Sequence, residues 1–117
     1  MREVALAVIG GGPAGLASAL AAREAGCDDI LILEREEALG GILRQCIHNG
    51  FGLHTFSEEL TGPEYAQRYI DRVTAARLPY ACGTTVLALT PDRTITCVSR
   101  SEGLFHVHAG AVVLAMG

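Results

Sequence analysis

Three glycines carry the chemistry most openly written in this 117-residue sequence. Gly10, Gly12 and Gly15 stand at G-x-G-x-x-G spacing within Val8-Ile9-Gly10-Gly11-Gly12-Pro13-Ala14-Gly15. A turn of this kind brings bare backbone N–H groups against a diphosphate. Gly10 is expected to make the tight turn, and Gly12 to remove a side chain that would hold a pyrophosphate off the backbone. Gly15 is expected to let a helix pack close to a sheet. Pro13 suits the first helical turn, where its missing N–H would have had no partner, and Ala14 follows it. The positive end of the helix dipole then faces the phosphate. An acid completes such a site. Glu34 closes the apolar run Ile30-Leu31-Ile32-Leu33, about 20 residues beyond the turn, where a ribose-binding carboxylate belongs.

The elements that must position these groups are legible around them. An unbroken apolar run, Val4 to Ile9, enters the turn and reads as a parallel strand buried on both faces. An Ala/Leu-rich helix leaves it and stops at Gly26. Asp28-Asp29 then returns the chain to the second strand. The plain alternative is an α/β unit with a glycine-rich turn and no ligand.

Composition narrows the classes. The length suits one domain, and half the residues are apolar, enough for a core if most strands are buried. A net charge of −4 without a basic cluster argues against a nucleic-acid surface. The apolar runs are too short for a membrane span, and no leader precedes the first strand, so a cytoplasmic location is the expectation. Cys27, Cys46, Cys82 and Cys97 form no C-x-x-C pair, which argues against a zinc knuckle or a thioredoxin-type motif. His48, His54, His106 and His108 lack metal-ligand spacing with them, and His106 and His108 are expected to share a solvated strand face.

Farther on, Arg35-Glu36-Glu37 is a charged loop before a second glycine pair, Gly40-Gly41. Residues 42 to 59 read as an irregular excursion, with at most a short helical turn over Ile42 to Cys46. Thr61-Gly62-Pro63-Glu64 is a capping box for a helix reaching about Arg77, with Tyr65, Ala66, Tyr69, Ile70, Val73 and Ala76 on one stripe. The two tyrosines read as core or edge residues. Tyr80 to Cys82 is expected as a short strand at the far side of the sheet. Thr85–Leu89, Thr94–Ser99 and Leu104–His108 read as three antiparallel strands, and Ala111–Leu114 as a separate buried strand.

This order, with Gly10-Gly11-Gly12-Pro13-Ala14-Gly15, Glu34-Arg35, Gly40-Gly41 and Ala115-Met116-Gly117, resembles the FAD half of the pyridine nucleotide-disulfide oxidoreductases and their NAD(P)/FAD-dependent relatives. The resemblance implies an α/β, Rossmann-like FAD-binding domain: a parallel sheet with a three-stranded antiparallel β-meander, incomplete at its C-terminus. Residues 1–117 would be the N-terminal part of that domain, with the NAD(P)-binding domain absent and a partner subunit or further C-terminal portion completing it. FAD would be the bound cofactor and NAD(P) the co-substrate of the complete protein. The resemblance assigns Gly41 and Ile42 to the pyrophosphate–ribityl side of FAD, backbone near Thr85 and Val86 to the adenine, and Ala115 and Gly117 to a turn passing the flavin. Met116 replaces the family's threonine there. Glu34 would accept from both adenosine-ribose hydroxyls and repel a 2′-phosphate. Arg35 is either an adenine-edge contact or a solvated rim charge.

Gly40 to Ala66 looks like a subfamily linked to glycerol-3-phosphate-type dehydrogenases. A redox disulfide of the C-x-x-x-x-C type would need a second cysteine where Phe51 stands, so disulfide reduction is disfavoured. Cys46 is either a buried small residue or a lone thiol activated by Arg44 and His48. No catalytic side chain is nominated. The rival readings are an NAD-binding dehydrogenase segment and a non-catalytic nucleotide-binding module or assembly subunit.

Overall fold

Apolar runs broken by glycine stops build the first third of the molecule. In the computed structural model, which describes residues 1–41 and 62–116, β1 (Arg2–Ile9), α1 (Pro13–Glu24) and β2 (Ile30–Leu33) form a βαβ unit. β1 and β2 are parallel, with Leu6 opposite Ile30 and Ile9 opposite Leu33. Gly26 ends α1 because its φ of 101° suits a residue without Cβ, and the Cys27 N–H then reaches back to the Ala22 carbonyl. At the start of β2 the Asp29 carboxylate accepts from the Ala5 N–H, which fixes the return turn on β1.

α2 (Gly62–Ala75) follows, then β3 (Tyr80–Ala81), β4 (Thr84–Leu89), β5 (Thr94–Ser99) and β6 (Gly103–Leu114). The α2 stripe packs as its spacing predicts: Ala66, Tyr69 and Val73 are buried, and the Tyr65 and Tyr69 rings meet edge-on at 5.3 Å. Thr61, and with it the capping box, lies outside the described residues, as does the 42–59 excursion with Cys46 and His48. The helix ends at Ala75, two residues before the expected Arg77, which instead takes a φ of 55° in the closing turn.

The six strands form one sheet in the order β3-β2-β1-β6-β5-β4, parallel from β3 to β6 and antiparallel from β6 to β4. Both faces are covered. Val8, Ile30 and Ile32 pack with Leu16, Ala19, Tyr69 and Val73 of the helices. Their alternates Ala7, Ile9, Leu31 and Leu33 pack with Ile95, Cys97 and Val107 of the meander. That double cover explains why β1 and β2 are apolar without alternation. Each fully buried Leu or Ile contributes about 1.5–3 kcal/mol.

Two expectations are corrected by β6. Leu104–His108 and Ala111–Leu114 are one continuous strand, because the chain changes neighbours without turning. Gly103 to His108 pairs antiparallel with β5, while Val107 to Leu114 pairs parallel with β1. The second half is also not buried: Ala111 is exposed, Val112 and Val113 are half-buried, and Leu114 is 58% exposed. Pairing with β5 stops at His108, so among the described residues the far half has β1 on one side and no strand on the other. His106 is exposed as expected. His108 is partly buried, with Nε2 donating to the Asp92 carbonyl at 2.9 Å.

Candidate nucleotide site

Strand ends converge on the β1–α1 turn. The Gly10 N–H donates to the Leu33 carbonyl at 2.8 Å, and the Ala115 N–H donates to the Ile9 carbonyl at 2.8 Å. Gly10 has a φ of 114°, and a Cβ there would lie 2.0 Å from the Ala115 oxygen. A Cβ on Gly15 would lie 1.9 Å from the Gly10 oxygen, so helix and strand can approach only with hydrogen at that position. Both glycines are required by the protein's own packing.

Gly12 differs. Its φ of −80° suits any residue, and a Cβ would meet only the Gly41 Cα, at an ordinary 3.6 Å, among the described residues. As N-cap of α1 it makes no side-chain cap, and the first turn of the helix holds no acid. Among the described residues the N–H groups of Ala14 and Gly15, behind Pro13, thus have no acceptor in the protein. Gly41, with a φ of 65°, packs its own missing side chain against Gly12: a Cβ would sit 3.0 Å from the Gly12 Cα. The two glycine turns therefore lie back to back.

Glu34 follows β2 and is buried, 7% exposed, beside the turn. Its Oε1 accepts from the Gly11 N–H and its Oε2 from the Glu36 N–H, each at 2.7 Å. Gly11 occupies the variable position of the fingerprint and was missed as a site residue, although three consecutive glycines where the spacing needs two were its signal. Arg35 is a solvated rim charge, 78% exposed in its side chain and 3.7 Å from the Glu36 carboxylate. The Thr84 N–H donates to the Glu34 carbonyl at 2.9 Å, so Thr85 and Val86 follow directly at the start of β4. Gly10, Gly12, Gly15, Glu34, Gly41, Ala115 and the start of β4 are thus brought together. Ile42 and Gly117 lie outside the described residues.

Of the other cysteines, Cys27 and Cys82 are partly buried and Cys97 is buried. Burial, and to a lesser degree the charge of Glu102, pushes the Cys97 thiol up from its ordinary value, which keeps it inert. Among the described residues no group of three His, Cys, Asp or Glu side chains could hold a metal ion. A concavity of about 550 Å³ lined by Met1, Arg2, Glu102, Phe105 and His106 lies at the start of β1, the end opposite the glycine turn. No described helix is long and apolar enough to cross a membrane.

The arrangement defines a Rossmann-like α/β domain built around a glycine turn and an acid. Residues 7–51 match the family of the pyridine nucleotide-disulphide oxidoreductases. Bacillithiol disulfide reductase Bdr from Bacillus cereus shares the fold over 99% of this chain and 40% of its own, with a TM-score of 0.80 at 19% identity. L-Proline dehydrogenase from P. horikoshii does so over 98% of this chain and 22% of its own, with a TM-score of 0.79 at 22% identity. Thioredoxin reductase from Streptococcus pyogenes gives a TM-score of 0.74 at 20% identity, over 99% and 36%. A curated relative, digeranylgeranylglycerophospholipid reductase 2 of Methanopyrus kandleri, is 39% identical over 79 residues, which are 68% of this chain and 19% of the relative. The chain therefore spans less than half the length of each of these proteins. The family match thus covers residues 7–51, and these solved structures, each under 25% identical, share the fold.

Proposed function

We propose that this chain is the FAD-binding segment of an FAD-dependent, NAD(P)-linked oxidoreductase that works without a redox disulfide beside its second glycine pair. The observation that carries the reading is Gly12. Gly10 and Gly15 are glycine because the fold would otherwise collide with itself, whereas nothing described in the protein demands glycine at position 12. A ligand resting on that backbone does. The uncapped start of α1 beside it and the buried Glu34 carboxylate supply a phosphate cradle and a ribose acceptor, so the residues fit a dinucleotide.

In this reading the backbone of Gly12, Ala14 and Gly15 holds the pyrophosphate, with Gly41 closing the turn from behind and Ile42 beyond it. Glu34 takes the adenosine ribose, and the start of β4 at Thr85 and Val86 flanks the adenine. Ala115, with Gly117 beyond the described residues, would belong to the turn that passes the flavin. Flavin, when bound, supplies hydride and single-electron transfer, and the protein's part is to grip and orient it. The cytoplasmic location belongs to the same proposal. So does a link to glycerol-3-phosphate-type dehydrogenases, supported by the pattern from Gly40 to Ala66; the M. kandleri relative is named for a glycerophospholipid substrate.

The test is to saturate the purified protein with FAD and, separately, with NAD, remove free nucleotide, and heat-denature what remains. A flavin spectrum in the released fraction supports the proposal. Retention of nicotinamide nucleotide without flavin favours an NAD-binding dehydrogenase segment, and retention of neither overturns the reading. A non-catalytic module would keep FAD yet show no reduction by NAD(P)H in the complete protein.

A further inference from the structure

Gly11 fills the position that the fingerprint leaves free, yet the geometry points to it as the residue that positions the Glu34 carboxylate for a ribose diol. The inference rests on the nucleotide reading above and adds a residue to it. Each oxygen of Glu34 is held by one backbone amide, Oε1 by the Gly11 N–H and Oε2 by the Glu36 N–H, both at 2.7 Å. A carboxylate offers about four acceptor directions, two on each oxygen. Among the described residues one on each oxygen is taken, and one on each remains. Two hydroxyls on adjacent carbons are the matching donor set. Short charge-assisted bonds from two fixed amides hold the carboxylate plane without any further side chain.

Space, not backbone conformation, explains the glycine. Gly11 is not among the glycines of positive φ. A Cβ on it would lie 2.6 Å from Leu39 Cδ2, 3.1 Å from Glu34 Cβ and 3.2 Å from Glu34 Oε1. Leu39 is buried at 3% exposure, so it has little freedom to withdraw. Any side chain at position 11 therefore presses on the acid and its wall together. The Gly11 carbonyl also accepts from the Gly40 N–H at 2.8 Å, so one residue ties the fingerprint turn, the acid and the second glycine pair.

The consequence is a selectivity. With Gly11 in place the site favours a ribose whose 2′- and 3′-hydroxyls are both free, and losing either hydroxyl leaves one oxygen of Glu34 unmatched. ADP and 2′-deoxy-ADP probe this directly, by calorimetric titration of wild type and Gly11→Ala. Wild type binds ADP about tenfold more tightly, as expected for one hydrogen bond to a charged acceptor. Gly11→Ala lowers that preference to about threefold or less. A general loss of structure weakens both nucleotides by the same factor and leaves the ratio unchanged, which separates positioning from mere stability. An unchanged ratio in Gly11→Ala overturns the proposal and leaves the nucleotide reading standing. A wild type that binds neither nucleotide, or both equally, overturns the ribose site itself. Should Gly11→Ala not fold, the ratio is read in the Gly11→Ala/Leu39→Ala pair, where removal of the clash restores the preference. A folded pair without preference, or a pair that fails to fold, overturns the role given to Leu39 and Gly11.

Discussion

Two turns of this molecule solve the same problem in opposite ways. The β4–β5 turn closes on itself: the Thr90 and Thr94 hydroxyls both donate to the Asp92 carboxylate, the Thr94 N–H donates to the Thr90 hydroxyl, and His108 caps the Asp92 carbonyl. Its polar groups have partners in the neighbouring residues. The β1–α1 turn uses glycine and proline where the other uses threonine and aspartate, and it leaves the start of a helix without a side-chain cap. A turn made only to reverse the chain gains from satisfying itself. One that leaves donors open gains only if something else arrives to take them.

The largest effect expected from this contrast comes from the glycines that the open turn needs for its own sake. Gly15→Ala forces a Cβ into the Gly10 carbonyl and should cost roughly 3 kcal/mol in chemical denaturation, with nucleotide binding lost as a by-product. Gly12→Val should do the reverse. Stability should stay within about 1 kcal/mol, while FAD affinity falls about 100-fold in fluorescence titration. A Gly12→Val protein with unaltered FAD affinity would erase the distinction between the two turns.

The closed turn offers a subtler check through pH. Hydrogen bonds from Thr90, and then Thr94, hold the Asp92 carboxyl below its ordinary value of 3.8. A carboxyl depressed on folding stabilises the protein above its unfolded value, and that contribution is lost as pH falls through the lower folded value. Asp92→Asn should therefore lower the melting temperature slightly at pH 7, and the gap should close as pH drops below the ordinary carboxyl value of 3.8. A gap that persists in acid would mean the turn does not depend on that charge. Smallest of all is Arg35→Ala: a rim residue that points to solvent should change FAD affinity by less than about twofold.

Much of this architecture is readable from local chemistry. Glycine spacing, the Glu34 position, the stop at Gly26 and the stripe on α2 each depend on a few neighbouring residues, and each appears where its pattern indicates. What misleads is information that lives between distant segments. Gly110 stands where β6 changes partner and reads as a break between two strands, although it is glycine because a Cβ there would lie 2.9 Å from the Ala5 oxygen of the neighbouring β1. Burial of Ala111–Leu114 cannot be inferred from apolarity, because cover depends on what lies alongside. Gly11 escapes a motif reading for the same reason: its partners, Glu34 and Leu39, are distant in sequence.

The long sixth strand has a consequence for how the chain reaches this shape. β1 pairs with it from Arg2 opposite Val107 to Ile9 opposite Leu114, so nearly the whole sequence lies between the two partners. Closing so distant a contact precedes any reward from it, and topologies built on such contacts assemble slowly. During synthesis β1 leaves the ribosome well before β6 and waits with that flank open until β6 follows. The glycine turn, local as its motif is, gains its Ala115 roof only at that late moment.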